Sequence, residues 1–419
     1  MKNKNQFFAP FILVTSLFFF WGFIHNLDPI LIPHLRKSLS LNYIESSLVD
    51  SSVFIAYFVM ALPAGFVMKK YGYKTGIIIG LLLFAIGLFL FLPAADTRKY
   101  LFFLSALFII ASGLAFLETA ANPYMTLLGD PATATQRLNF AQSFNGLAVT
   151  LAPVIGGYLI LSSQTYNDAE LSTMTATVRD TYLANEAASV KSPYLALAVI
   201  ISIVAFLFWL IKLPDFKAAH QKQKGNLSTV LRNKSLLWGV VTQFFYVGAQ
   251  VCVQSFFILI ATKAAGIGDL EASKYLGYGY GIAFMGGRFF GTYVMRFIKP
   301  PVLLLIYSII NIVLTGIVIR SSGMITVYAL VAIAFFMSIM FPTIFSLGIH
   351  NLGVDAELGS SLIIMSIVGG ALLPPVLGLI ADKTHNIQLG YSVPLICFVV
   401  VALFANYNRK NEIVLTNKH

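Results

Sequence analysis

Glu118 is a single carboxylate inside an apolar run that reaches from Leu101 to Leu128. In hydrocarbon an ionised carboxylate costs about 2.5 to 3.5 kcal/mol on insertion scales, so such a group faces a bundle interior or a water path, and its default reading is functional. A carboxyl group removed from water is held more cheaply in its neutral form, which suits it to taking up and releasing a proton. Asn122 follows Glu118 by one helical turn and shares its face. Asn139, Gln142 and Asn145 recur at steps of three on the next apolar stretch, and Trp21, His25 and Asp28 form a stripe near the start of the chain. His25 could share a proton with Asp28, one turn away, or line a cavity as a neutral polar group. In the second half the polar positions are Gln243, Tyr246, Gln250 and Gln254, with Arg288 alone in its span. Tyr278, Phe284, Phe341 and Phe345 are candidate apolar platforms for a sugar ring, whose hydroxyls need amides and acids. The plainer alternative for each amide is an interhelical hydrogen bond worth about 0.6 to 2 kcal/mol, and for the aromatics it is helix packing.

The elements that must position these groups are membrane helices. Of 419 residues, 58% are hydrophobic and 11% charged, and the mean hydropathy is +0.81. Apolar runs of helix-spanning length recur between short polar stretches, and they are too long and continuous for barrel strands. Twelve spans are predicted, near 9–36, 44–69, 74–94, 99–128, 135–162, 192–213, 236–262, 271–297, 301–320, 324–349, 357–382 and 389–408. Of the 28 Lys and Arg, 17 fall on the side of the N-terminus and 10 on the other, Arg288 lying within a span. That bias places both termini in the cytoplasm. The expected fold is therefore an all-α polytopic membrane protein with two pseudo-symmetric six-helix bundles, 1–214 and 235–419, joined by a basic cytoplasmic linker, 215–234. A parallel repeat supports the halves: GFVMKKYGYK (65–74) after span two echoes GTYVMRFIKP (291–300) after span eight, matching Gly65 to Gly291 and Lys70 to Arg296. The 162–191 stretch, with Asp168, Glu170, Asp180 and Glu186, is predicted to be an external loop.

The net charge of +11 lies in loops between spans and is not a nucleic-acid footprint. Cys252 and Cys397 sit within apolar spans with no metal or disulfide spacing. No HExxH or GxSxG occurs, no second acid pairs clearly with Glu118, and no cofactor or metal motif is present, so an intramembrane enzyme is disfavoured.

LETAANP (117–123), RLNFAQSFN (137–145), FYVGAQ (245–250), GRFFGT (287–292) and FPTIFSLGIHNLG (341–353) stand in order along the chain. In these the sequence resembles the L-fucose:proton symporter family of the major facilitator superfamily over nearly its whole length. The resemblance implies the major facilitator fold and secondary active import of L-fucose or a related monosaccharide in a bacterial inner membrane. It implies a proton-coupling role for Glu118, with Asp28 as a second candidate acid. Sugar contacts are expected from His25, Asn122, Asn139, Gln142, Asn145, Gln250, Arg288 and Phe341, and cytoplasmic gating from Lys69, Lys70, Arg296 and Lys299. Two positions depart from the family pattern. LDPILIP (27–33) stands where members often read LNDILIP, so the acid lies one residue earlier beside Pro29, and Phe341 stands where a phenol is common. The carrier is expected to work as a monomer in lipid with no cofactor beyond its coupling ion, sodium being the rival to the proton. The rival functions are a sodium-coupled or uncoupled glucose, galactose or amino-sugar carrier, and a nontransporting sugar receptor.

Overall fold

The computed structural model describes residues 8–27, 43–160, 173–211, 213–214, 230–350 and 352–416, together with Leu31, Leu35 and Leu39. In the first half, α1 is Phe8–His25, α2 Tyr43–Tyr71, α3 Tyr73–Thr97, α4 Tyr100–Leu127, α5 Ala134–Ile160, α6 Ala176–Ser189 and α7 Lys191–Leu210. In the second, α8 is Lys234–Ser255, α9 Phe257–Ala265, α10 Asp269–Lys274, α11 Gly281–Val294, α12 Pro300–Arg320, α13 Met324–Met337, α14 Met340–Gly348, α15 Ala356–Met365, α16 Gly369–Thr384, α17 Ile387–Gly390 and α18 Ser392–Thr416. Among the described residues nine helical stretches are long and apolar enough to cross a membrane. The remaining three of the twelve expected spans are occupied by α1, by α5 and by α10 running through a π-helical segment, Tyr275–Tyr280, into α11. The expected all-α membrane fold is the one observed.

Small residues bring the helices together where no water drives association. At the α3–α4 crossing a Cβ added to Gly113 would lie 2.6 Å from the Gly80 carbonyl oxygen and 2.6 Å from the Phe84 nitrogen, so only glycine lets these backbones meet. Lys74, at the start of α3, donates at 2.9 Å to the Trp209 and Ile211 carbonyls, satisfying groups that the end of α7 leaves open.

Several spans differ from the continuous helices predicted. Span seven breaks at Phe256, between α8 and α9, and span ten at Ser338–Ile339, between α13 and α14. Span eleven passes through a 3-10 turn, Ser366–Val368, directly before Gly369, whose α-carbon lies against the Phe244 backbone of α8. The predicted external loop contains α6, whose polar face carries Asp180 to Arg98 at 2.7 Å, while Lys191 pairs with Asp96 at the end of α3. Helix α1 ends at His25, and most of the remainder of the predicted first span, to 36, lies outside the described residues.

Gly113→Val should force backbone apart at the α3–α4 crossing, an overpacking of roughly 1 to 3 kcal/mol or more. The expected result is a lowered thermal midpoint in detergent, with Gly316→Ala, at a glycine with open space around it, melting like the parent.

Candidate functional site

The two halves meet along one face of α5, and that face changes character along its length. From its start, the Thr135 hydroxyl pairs with that of Ser346 at 2.8 Å, Gln136 donates to the Thr292 carbonyl at 3.3 Å, and Asn139 donates to the Thr343 hydroxyl at 3.2 Å. On a neighbouring helix pair, Ser360 of α15 donates to the Thr119 carbonyl of α4 at 2.8 Å. Next along α5, Arg288 from the opposite half donates to the backbone carbonyl and the side-chain oxygen of Gln142 and, at 3.2 Å, to the side-chain oxygen of Asn145. Ten residues of helix, Thr135 to Asn145, rise about 15 Å, half the thickness of a bilayer's hydrocarbon core. Through that half the bundles are sealed together.

Beyond the seal a central cavity opens between the halves, with about 140 Å³ available to the centres of water-sized molecules, against the roughly 10 to 15 Å³ that one water needs. Its walls carry Glu118, Gln142, Asn145, His25, Gln250, Arg288 and Phe341, so seven of the ten expected coupling and sugar-contact residues are brought to one space. Glu118 is 8% exposed and accepts a hydrogen bond from the Tyr57 hydroxyl at 2.6 Å. Arg288 also donates to the Ser338 carbonyl at 2.9 Å, and its guanidinium lies 4.6 Å from the ring centre of Phe284. Tyr280 stacks parallel on Phe284 with centroids 6.1 Å apart, so residues 280, 284 and 288 form one column at a helical spacing of four. The buried Tyr280 hydroxyl has no hydrogen-bond partner among the described residues, which makes it an open donor on the cavity wall.

Two expected residues do not reach the cavity, and a third is not among the described residues. Asn122 is fully buried behind Gln142 and accepts from its amide at 3.1 Å, so it supports a wall residue. Asn139 is fully buried in the seal, where its amide bridges the halves. Asp28 lies outside the described residues. Among the aromatics, Phe284 and Phe341 line the cavity, whereas Tyr278 is exposed and Phe345 is buried away from it. Lys69 and Lys70 end α2, and Arg296 and Lys299 sit between α11 and α12, all at the sealed end. Tyr57, Asn26 and Tyr280 line the cavity without having been expected there. Tyr57 also faces inward, but the apolar pattern around it on α2 hides that face; its only signal is a phenol midway along a span.

A polar cavity at mid-span between two helix bundles, shut at one end and approachable from the other, defines a membrane carrier. The sequence pattern of the Major Facilitator Superfamily matches residues 11–356. The chain is 41% identical over 416 residues to a glucose/galactose transporter of Brucella abortus (strain 9-941), covering 98% of this chain and 96% of that one. It is 39% identical over 413 residues to the L-fucose-proton symporter of Escherichia coli (strain K12), covering 97% and 94%. The crystal structure of the transporter FucP in the outward conformation superposes with a TM-score of 0.90 at 39% identity, over 96% of this chain and 99% of that one. The proton:xylose symporter XylE, 14% identical with a TM-score of 0.70, shares the fold. The chain belongs to the L-fucose:proton symporter family of the major facilitator superfamily, a family of membrane sugar transporters.

Arg288→Lys keeps the charge but loses the fork that reaches Gln142, Asn145 and Ser338 together. Hydrogen bonds to charged groups contribute about 1.5 to 3 kcal/mol, so sugar uptake by the variant should fall at least about tenfold with its abundance in the membrane unchanged. Uptake at the parent's rate would show that the fork is dispensable.

Proposed function

We propose that this protein imports a neutral monosaccharide, L-fucose or a hexose of the galactose and glucose type, together with a proton, by alternating access. The observation that carries this reading is Glu118, an acid on the wall of a mid-membrane cavity, held by one phenol and surrounded by amides suited to hydroxyls. In this scheme the carboxyl group is protonated from the open side. The sugar's hydroxyls bind Gln142, Asn145 and Gln250, and its C–H face rests on Phe341 and Phe284. Rocking of one bundle against the other then opens the α5 seal, and the proton leaves with the sugar.

The open end is assigned to the outside and the sealed end, with both termini, to the cytoplasm of a bacterial inner membrane. The excess of basic loops at the sealed end and the likeness to an outward conformation support that orientation. The halves that rock are residues 1–214 and 235–419, with 215–234 as the tether. The scheme works in a monomer, and the coupling ion is the only companion of the sugar that it requires. Relatives named for L-fucose and for glucose/galactose favour two sugar classes, and Phe341, with no hydroxyl to offer, is the wall position at which a sugar preference would differ.

Glu118→Gln in proteoliposomes should abolish uphill sugar accumulation on a pH gradient while leaving sugar exchange across the membrane. Accumulation at the parent's level would remove Glu118 as the coupling acid. Asp28→Asn in the same assay assigns or releases the second acid, and exchanging sodium for potassium at constant pH should leave accumulation unchanged; dependence on sodium would replace the proton in this scheme.

A further inference from the structure

A second space lies outside the central pathway, on the flank of the bundle at its sealed end. It is a groove built by α1 and α5 of one half and α11 of the other, with about 490 Å³ for water-sized centres. Its floor is aromatic: Phe11 and Phe140 stack with centroids 5.9 Å apart, and Phe289 faces them from α11. Its rim is cationic. Arg137 sits in the first turn of α5 and Arg296 just beyond the end of α11, the latter exposed with its guanidinium 5.7 Å from the Tyr293 ring centre. Among the described residues no carboxylate lines the groove. The nearest acid to Arg137 is Asp130, whose side chain accepts from the Ala132 backbone N–H. Arg137 spends its hydrogen bonds on the Asp130, Thr126 and Met125 carbonyls and the Thr133 hydroxyl, and among the described residues it forms no ion pair.

An aromatic floor at membrane depth beneath two fixed cations at the interface is complementary to a molecule with acyl chains and an anionic headgroup. A soluble phosphate would leave the aromatic floor bare, and a zwitterionic lipid would bring its own cation to a cationic rim. We propose that this groove binds an anionic phospholipid, such as phosphatidylglycerol, with its phosphodiester between Arg137 and Arg296 and an acyl chain along Phe11, Phe140 and Phe289. The groove touches both halves beside the Gln136–Thr292 bond, so a bound lipid bridges them and favours the sealed state. The basic residues that edge it fit the anionic cytoplasmic leaflet.

The test is native mass spectrometry of the full chain in detergent, titrated separately with phosphatidylglycerol, phosphatidylethanolamine of the same chains, and inorganic phosphate. The parent should retain one phosphatidylglycerol at concentrations where the other two leave no adduct, and retention should weaken as salt rises. Arg296→Gln should weaken it about fivefold, as expected for one charge near a membrane surface. Arg296→Lys should restore most of it, and Arg320→Gln, at the opposite end of the bundle, should bind like the parent. Melting of the lipid-free variants alongside the parent shows that each is folded. Equal retention of phosphatidylethanolamine, an inorganic phosphate adduct that competes with the lipid, or parent-like retention by folded Arg296→Gln would each overturn the proposal.

Discussion

The arrangement of the site depends on one buried cation. Arg288 is 4% exposed at mid-span, where an unpaired guanidinium would be costly. Its hydrogen bonds go to the oxygens of Ser338, Gln142 and Asn145, and one face of the guanidinium lies against Phe284. The break in span ten supplies the first of these. Pro342, four residues on, has no N–H to donate to the Ser338 carbonyl, which accepts from Arg288 instead. The interruption in span ten therefore supplies an acceptor that makes a buried arginine tolerable, and the remaining bonds of that arginine reach across to the other half.

The same cation explains why one face of α5 does two jobs. Steps of three and four carry Thr135, Asn139, Gln142 and Asn145 around a single stripe. Short polar side chains on α14 meet the lower part of that stripe and close it, whereas the longer Arg288 meets the upper part and props it at the edge of the cavity. Asn139 and Gln142 are three residues apart and chemically alike, yet one is a rivet and the other a wall. Their difference is set by what the opposite bundle presents at each level.

That dependence marks where the sequence was legible. Hydropathy alone placed the helices, because every backbone group in hydrocarbon must be satisfied within its own helix and long apolar runs have few other forms. Glu118, Gln142 and Arg288 stood out because a polar group in such a run needs a reason, and all three line the cavity. Asn122 and Asn139 met the same criterion, but intramembrane amides also serve as interhelical bonds, and a single helix face does not tell the two uses apart. Tyr57 was silent for the opposite reason, since a tyrosine is common enough in a membrane helix that only its 2.6 Å bond to Glu118, contributed by a helix sixty residues distant, gives it meaning. The break at Phe256 carries neither proline nor glycine, whereas the break at Ser338 precedes Pro342, which has no N–H to offer the carbonyl four residues before it, a signal that was legible in the sequence.

The floor of the cavity also constrains how binding and opening can be linked. Gln142 and Asn145 offer their side-chain oxygens to Arg288, and the same two side chains face the cavity. A ligand that hydrogen-bonds to either amide engages groups that already hold the two bundles together. Occupancy of the cavity then cannot leave the strength of the inter-bundle contact unchanged: the ligand must either complete the unused bonding capacity of the amides and tighten the floor, or take oxygens from Arg288 and loosen it. Either outcome gives the ligand a differential affinity for the sealed and unsealed states, which is the thermodynamic condition for a ligand to drive a conformational change at all. In the proposed scheme Glu118 enters the same balance through Arg288, because both line one cavity and an ionised carboxylate there attracts that guanidinium while a protonated one does so far less. In the proposed scheme sugar and proton need not touch to be coupled; it is enough that both draw on the one cation that spans the halves.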